Sequence, residues 1–307
     1  MGKESNKSKF IQNFRQEIKR DKEYWKRISL LYDEALVDKT TAERTSLDYE
    51  IFEDTYLDSL LKEHLNKEPV ILIEIGAGTG RYIARYGCMM SRNADHSEIP
   101  YNPKFDANLK LIIGVDFSLP MLKELYEKLD EKKLMNEYNR RIFLVNDYGE
   151  IFSLSFNRVA EYKKSQKIVC CVFNTLGNID PEKRRILVLK RIHDLIYPKG
   201  IGIISVFNRD ELNSIGIPYY QHEKVTKLIV PPKPKRIIFD IGCGYVRTDD
   251  LEETERFIGH WFSVKEIERL FSISRLSIVE KVIGNEIRDI DTVKFSRRGL
   301  IFKVSAI

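Results

Sequence analysis

The chain has 307 residues, 43% of them hydrophobic, with 51 Lys and Arg against 46 Asp and Glu and a formal net charge of +5. This length predicts one large domain with appended or inserted elements, and the apolar content excludes a chain that stays unfolded for want of a core. Charge so evenly mixed permits an anionic partner and does not favour nucleic acid. The four cysteines, Cys88, Cys170, Cys171 and Cys243, form no C-x-x-C pair. That argues against a zinc site or disulfide framework, and for reduced, buried thiols in a cytoplasmic protein without a metal. The first residues are polar and basic with no apolar signal core, Asn6 departs from the Ser/Thr preference that goes with a myristoylated Gly2, and no apolar run reaches membrane-spanning length.

Residues 10–65 are patterned as helix. Phe10, Ile11, Phe14 and Ile18 share one face, and Tyr24, Trp25, Ile28, Leu31 and Tyr32 follow. Residues 1–66 are therefore expected to form a helical extension ahead of a domain over 67–307. At Val70 the pattern changes to Val70-Ile71-Leu72-Ile73-Glu74-Ile75, a short apolar run that suits a strand buried on both faces. Similar runs at 111–116, 141–145, 168–173 and 201–207 predict four more strands. Helices are predicted between them. Ser118 is placed to cap one whose inner stripe is Met121, Leu122, Leu125 and Leu129, and residues 181–196 form another. Such alternation predicts a doubly wound, mostly parallel α/β sheet. Residues 87–109 read as a polar loop. Residues 208–255 read as an insertion after the fifth strand, carrying extra strands. A helix through Phe271 and strands at 276–283 and 299–307 complete seven strands.

The chemistry concentrates at strand ends. Glu74-Ile75-Gly76-Ala77-Gly78-Thr79-Gly80-Arg81 joins a strand to a helix through a glycine-rich turn. Glycines there permit positive φ and close backbone approach to a ligand, and the helix N-terminus beyond favours a carboxylate or phosphate. A dinucleotide fingerprint would need glycine where Arg81 stands. Gly114-Val115-Asp116-Phe117-Ser118 ends the second strand, and a carboxylate there suits a vicinal diol. Asp116 lies further from the glycine turn than the about 20 residues of a dinucleotide site, which the polar loop explains. Asn146-Asp147-Tyr148 follows the third strand and Phe173-Asn174-Thr175-Leu176-Gly177-Asn178 the fourth. Asn178 is also placed to cap the helix that follows. Phe239-Asp240-Ile241-Gly242-Cys243-Gly244 imitates the glycine turn but lacks its third glycine and a clean helix start, and reads as a strand or bulge of the insertion.

These motifs together resemble those of class I, Rossmann-like S-adenosylmethionine-dependent methyltransferases, over about residues 70–307. The stretch from Asn174 is similar to small-molecule N-methyltransferases, and the D/N-P-P-Y/F signature of DNA- and glutamine-methylating enzymes is lacking. The resemblance implies S-adenosylmethionine as cofactor. It implies that Glu74, Gly76, Ala77, Gly78 and Gly80 cradle its methionine end and Asp116 its ribose. Phe117, Asn146, Asp147 and Tyr148 would surround the adenine, and Asn174 would face both cofactor and acceptor, orienting an acceptor nitrogen. A capping role for the N-terminal helices makes Tyr24 a candidate for the acceptor side. Tyr219, Tyr220 and His222 of the insertion, and His260, are further candidates there, since an aromatic pair binds a cationic amine through its π faces. The expected activity is methylation of a small molecule, at nitrogen. An RNA methyltransferase and a non-catalytic S-adenosylmethionine-binding protein are the competing readings, and oligomeric state is left open.

Overall fold

The computed structural model describes residues 47–90, 107–131, 141–154, 160–212, 240–245, 255–284 and 299–307. Helix α1 (Leu47–Leu65) precedes β1 (Val70–Ile75), α2 (Arg81–Met90), β2 (Leu109–Asp116), α3 (Leu119–Glu131) and β3 (Ile142–Asn146). A short α4 (Ala160–Lys164) leads into β4 (Gln166–Cys171). Then come α5 (Glu182–Ile196), β5 (Ile201–Phe207), β6 (Asp240–Tyr245), β7 (Glu255–His260), α6 (Val264–Ile273), β8 (Leu276–Ile283) and β9 (Gly299–Ala306).

Seven strands form one sheet in the order β3-β2-β1-β4-β5-β9-β8. The first five are parallel; β9 runs antiparallel to both β5 and β8. Strand side chains alternate between two cores. Val70, Leu72, Ile112, Ile168 and Cys170 face the layer that holds Leu57 and Leu61 of α1, Ile83 of α2 and Leu125 of α3. Ile71, Ile73, Ile113, Val169 and Cys171 face Val188, Leu189 and Ile192 of α5 and Leu270 of α6. Both faces of the central strands are thus dry, so those strands carry no polar alternation. Cys170 and Cys171, one on each face, are free buried thiols, and burial pushes the Cys171 thiol up to about 12.

All seven expected strands are present, and Met121, Leu122, Leu125 and Leu129 are the buried residues of α3. The imitation of the glycine turn at 239–244 falls largely in β6, which pairs antiparallel with β7 in a separate two-stranded ladder. Two expected caps differ. The Ser118 hydroxyl is buried without a hydrogen-bond partner, and the turn into α3 is held by Asp116, whose Oδ1 accepts from Ser118 N–H at 2.8 Å. Helix α5 starts at Glu182 without a side-chain cap, so Asn178 does not serve it. Ser263 does cap α6, accepting from Glu266 N–H. Of the expected N-terminal helix, only α1 falls within the described residues, and Tyr24, Tyr219, Tyr220 and His222 lie outside them. Among the described residues no helix is long and apolar enough to cross a membrane.

Candidate active site at the switch point of the sheet

Strands β1 and β4 are neighbours, and from them the sheet order runs outward in opposite directions. The carboxyl ends of such a pair leave a crevice in which ligands bind. The turn after β1 projects there. Its backbone is fixed by Gly76 N–H and Ala77 N–H donating to Val115 O of β2 at 2.8 and 3.1 Å. Gly76, Gly78 and Gly80 all have positive φ, at 76°, 54° and 88°. They differ in what surrounds them. A Cβ on Gly76 would sit 2.3 Å from Thr175 Cγ2, and one on Gly80 would sit 2.0 Å from Leu125 Cδ1, so these two are glycine for packing. A Cβ on Gly78 would meet nothing within 4 Å. Its side faces open space, as a backbone surface does where a ligand lies against it.

Asp116 secures this cradle from the end of β2. Its Oδ2 accepts from Gly78 N–H at 2.9 Å while Oδ1 accepts from Ser118 N–H. The carboxylate keeps lone-pair capacity for a ligand hydroxyl. Burial pushes the carboxyl up to about 6, against the pull of the Ser118 and Gly78 N–H groups. Glu74 is also buried, its carboxyl pushed well above the usual range, and its Oε2 has no hydrogen-bond partner. Beyond β2 and β3, Phe117 and Tyr148 stack with ring centroids 5.6 Å apart and planes 11° from parallel. Asn146 donates to Asp116 O at 3.1 Å, and Asp147 Oδ1 accepts from Tyr148 N–H. These two residues fix the loop that carries Tyr148.

The turn after β4 is the most strained part of the site. Phe173 and Asn174 have φ of 54° and 55° in succession. A bulky residue held there marks a place where surrounding bonds overrule local preference. Asn174 is 1% exposed. Its Oδ1 accepts from Phe207 N–H at 3.1 Å and its Nδ2 donates to His260 O at 3.4 Å. This changes the picture of Asn174 drawn from sequence. The amide oxygen assigned to an acceptor nitrogen is bound to the end of β5, so the side chain braces the turn. Gly177 is small for the same reason, since a Cβ there would lie 2.5 Å from His260 O. The His260 ring is fully buried, bonded through Nε2 to Glu266 Oε1 at 2.7 Å and packed edge-on against Phe262. It therefore stands behind the Asn174 turn, not open to an acceptor.

Sequence reasoning missed Glu53. This fully buried acid of α1 reaches the strained turn, where Oε1 accepts from Phe173 N–H at 2.8 Å and from Ser205 Oγ, and Oε2 accepts from Tyr82 Oη and Arg81 at 2.7 Å each. Burial pushes its carboxyl up, and Arg81 and the hydrogen bonds pull it back. Arg81 also reaches Asp54 at 3.3 Å and Glu50 at 3.9 Å, and Arg85 meets Asp58 at 2.6 Å. A signal was present: Glu53 sits inside the buried stripe of Tyr49, Phe52, Leu57 and Leu60. An acid at a core position needs partners, and here α2, the turn after β4 and strand β5 supply them.

A seven-stranded sheet in this order, with a positive-φ glycine turn after β1 and an acid closing β2, is the fold of the class I S-adenosylmethionine-dependent methyltransferases. The chain is similar in structure to the magnesium protoporphyrin IX methyltransferase of Synechocystis with bound S-adenosylmethionine. Identity is 12%, coverage 95% of this chain and 97% of that one, and the TM-score 0.52. It is also similar to the CcbJ methyltransferase of Streptomyces caelestis, at 17% identity, 83% and 95% coverage and a TM-score of 0.49. A third likeness is to an S-adenosylmethionine-dependent methyltransferase of Clostridium acetobutylicum, at 14% identity, 84% and 92% coverage and a TM-score of 0.47. No protein-family model matches the chain, and no curated protein matches it in sequence.

Proposed function

We propose that the chain is a cytoplasmic S-adenosylmethionine-dependent methyltransferase acting on a small-molecule acceptor, at nitrogen. One observation carries the cofactor reading: Gly78, in left-handed backbone, opens onto empty space while its own N–H is tied to Asp116 at the switch point. The residues fit the group. The cradle leaves room at Gly78, the N-terminus of α2 favours a carboxylate, Asp116 has lone pairs for a ribose diol, and Phe117 and Tyr148 offer ring faces for an adenine. The buried, unpartnered Ser118 hydroxyl beside Asp116 is a further polar group left over for a ligand. The small-molecule acceptor is supported by the likeness to the magnesium protoporphyrin IX methyltransferase of Synechocystis. Nitrogen is supported by the likeness of the stretch from Asn174 to small-molecule N-methyltransferases.

When bound, S-adenosylmethionine supplies a methyl group already activated on a sulfonium. The chain has to align an acceptor with it and exclude water, which is worth several kcal/mol of the barrier. Glu53, Asn174 and Ser205 hold the turn that faces the acceptor. Asp116 and the glycine turn hold the donor. Turnover against a panel of small amines and against RNA tests the reading, with methylated amines and unmodified RNA as the expected result. Methylation of RNA alone would overturn the acceptor class, and tight cofactor binding without turnover of any acceptor would point to the non-catalytic reading.

Asp116 gives a pH dependence of defined sign. Its ionised form is the one that accepts a diol, and its carboxyl is raised from 3.8 to about 6. Affinity for S-adenosylmethionine and for S-adenosylhomocysteine should therefore drop together below about pH 6, by up to about tenfold per pH unit. Folding stability moves the other way. The folded state holds this proton more tightly than the unfolded chain, so the contribution of Asp116 declines as pH rises from about 4 to about 6. Calorimetric titrations on either side of about pH 6 check the first sign, and denaturant melts over the same range check the second.

A further inference from the structure

Ser263-Val264-Lys265-Glu266 has the S-x-x-E spacing of a capping box, in which the acid turns back to the N-cap N–H. Only half of that box forms. Ser263 Oγ accepts from Glu266 N–H at 3.3 Å. The Glu266 carboxylate turns away from its own helix instead. Its Oε1 lies 2.7 Å from His260 Nε2, and its Oε2 pairs with the Arg209 guanidinium. The ionised carboxylate only accepts, so Nε2 is the ring nitrogen that carries the proton. Glu266 and His260 are both buried, and the Arg209 side chain is only 12% exposed.

These two partners stand at the two ends of the insertion. Arg209 lies just past the end of β5, where the chain leaves the sheet, and His260 is the last residue of β7, by which it returns. The two segments are laced together. Phe262 N–H donates to Phe207 O and Arg209 N–H to Phe262 O, each at 2.9 Å. Trp261 packs on Phe207 with ring centroids 5.0 Å apart. Asn174 spans the same two segments from the turn after β4, bonded to Phe207 N–H and to His260 O. That turn therefore rests on two pieces of chain that one carboxylate ties together. The cofactor cradle is held by other bonds, from Gly76, Ala77 and Gly78 to Val115 and Asp116. The two halves of the site meet where Thr175 packs onto Gly76.

We propose that Glu266 is a positioning residue for methyl transfer: its carboxylate clasps both ends of the insertion and so sets the Asn174 turn against the acceptor. It has no part in holding the donor. A carboxylate suits the task because an imidazole N–H and a guanidinium both donate, one to each oxygen. A glutamine amide has one accepting atom and would turn its own N–H groups toward the other donor. The inference rests on the methyltransferase reading above and deepens its acceptor side.

The test compares wild type with Glu266→Gln, Arg209→Met and Arg209→Lys, each first shown folded by circular dichroism. S-adenosylhomocysteine is titrated by calorimetry, turnover is measured on the most active amine of the panel, and amide hydrogen exchange is followed. In Glu266→Gln the affinity for S-adenosylhomocysteine should stay at the wild-type value. The acceptor kcat/KM should fall by on the order of 100-fold, as a misplacement of about 1 Å does. Exchange should quicken at Phe207 and Gly177 N–H and stay unchanged at Gly76 and Gly78 N–H. Arg209→Met should behave alike, and Arg209→Lys, which keeps a cation for Glu266, should recover most of the loss. A purely structural Glu266 would quicken all four amides together. That pattern, an intact kcat/KM, or weakened S-adenosylhomocysteine binding overturns the proposal. If Glu266→Gln does not fold, the Arg209 pair decides, and equal behaviour of Met and Lys overturns it. If wild type turns over no amine, the acceptor reading fails on its own, and the exchange pattern of Glu266→Gln still decides the clasp. Failure of wild type to bind S-adenosylhomocysteine would instead sink the cofactor reading.

Discussion

Gly78→Val should fold and bind no S-adenosylmethionine. The valine Cβ meets nothing within 4 Å in the free protein, so it makes no clash there. The cost to folding is that of a β-branched residue at φ 54°, about 1–2 kcal/mol. The melting temperature should fall by a few degrees. The isopropyl group, however, occupies the space the cofactor backbone needs. Wild type at a ligand concentration of about 100 times its dissociation constant should gain about 2.7 kcal/mol. The variant should gain nothing. Gly80→Ala is the contrasting control. Its methyl would sit 2.0 Å from Leu125 Cδ1, a fully buried side chain, so it should destabilise the free protein by about 1–3 kcal/mol. A ligand shift of normal size in Gly78→Val would show that the turn is only a strand-to-helix connection.

The second large effect is at Asn174. Asn174→Ala removes the acceptor for Phe207 N–H and the donor to His260 O, and leaves alanine at φ 55°. An orphaned backbone donor costs about 1–3 kcal/mol and the left-handed backbone about 1 kcal/mol more, so a loss of about 2–4 kcal/mol is expected. Asn174→Gly makes the same two deletions but tolerates the backbone, so the difference between the two variants isolates the strain. Urea unfolding measures both. A residue whose amide only oriented an acceptor would cost little stability when truncated. Two variants as stable as wild type would therefore restore the acceptor role to Asn174.

The strands were legible because of where they lie. A strand buried on both faces has no polar alternation, so Val70 to Ile75 and its counterparts stand out against the charged helices as unbroken apolar runs. The stripe of α3 was legible because it packs on one side only. The three glycines were legible as a turn. The division of labour among them was not, because it depends on Thr175 and Leu125, which are far away in sequence. Ser118 shows the limit of local rules. It occupies a good capping position, yet a buried acid two residues earlier takes the bond and leaves the hydroxyl idle.

By itself, then, the sequence determined the layer order of the fold and the strand ends at which chemistry collects, since both follow from hydrophobic periodicity and from the backbone freedom of glycine. Only the tertiary structure decided what the polar side chains do. Glu53 lies 120 residues from Phe173 and 152 from Ser205, and no periodicity connects them. Its acidic neighbours Glu50, Asp54 and Asp58 repel one another along α1, and they make sense only once Arg81 and Arg85 of α2 are packed against them. Asn174 and His260 likewise looked like groups offered to an acceptor. Burial settled their placement: a polar side chain shut away from water must spend its hydrogen bonds on whatever the fold brings beside it, and here that is the ends of β5 and β7 and Glu266 of α6.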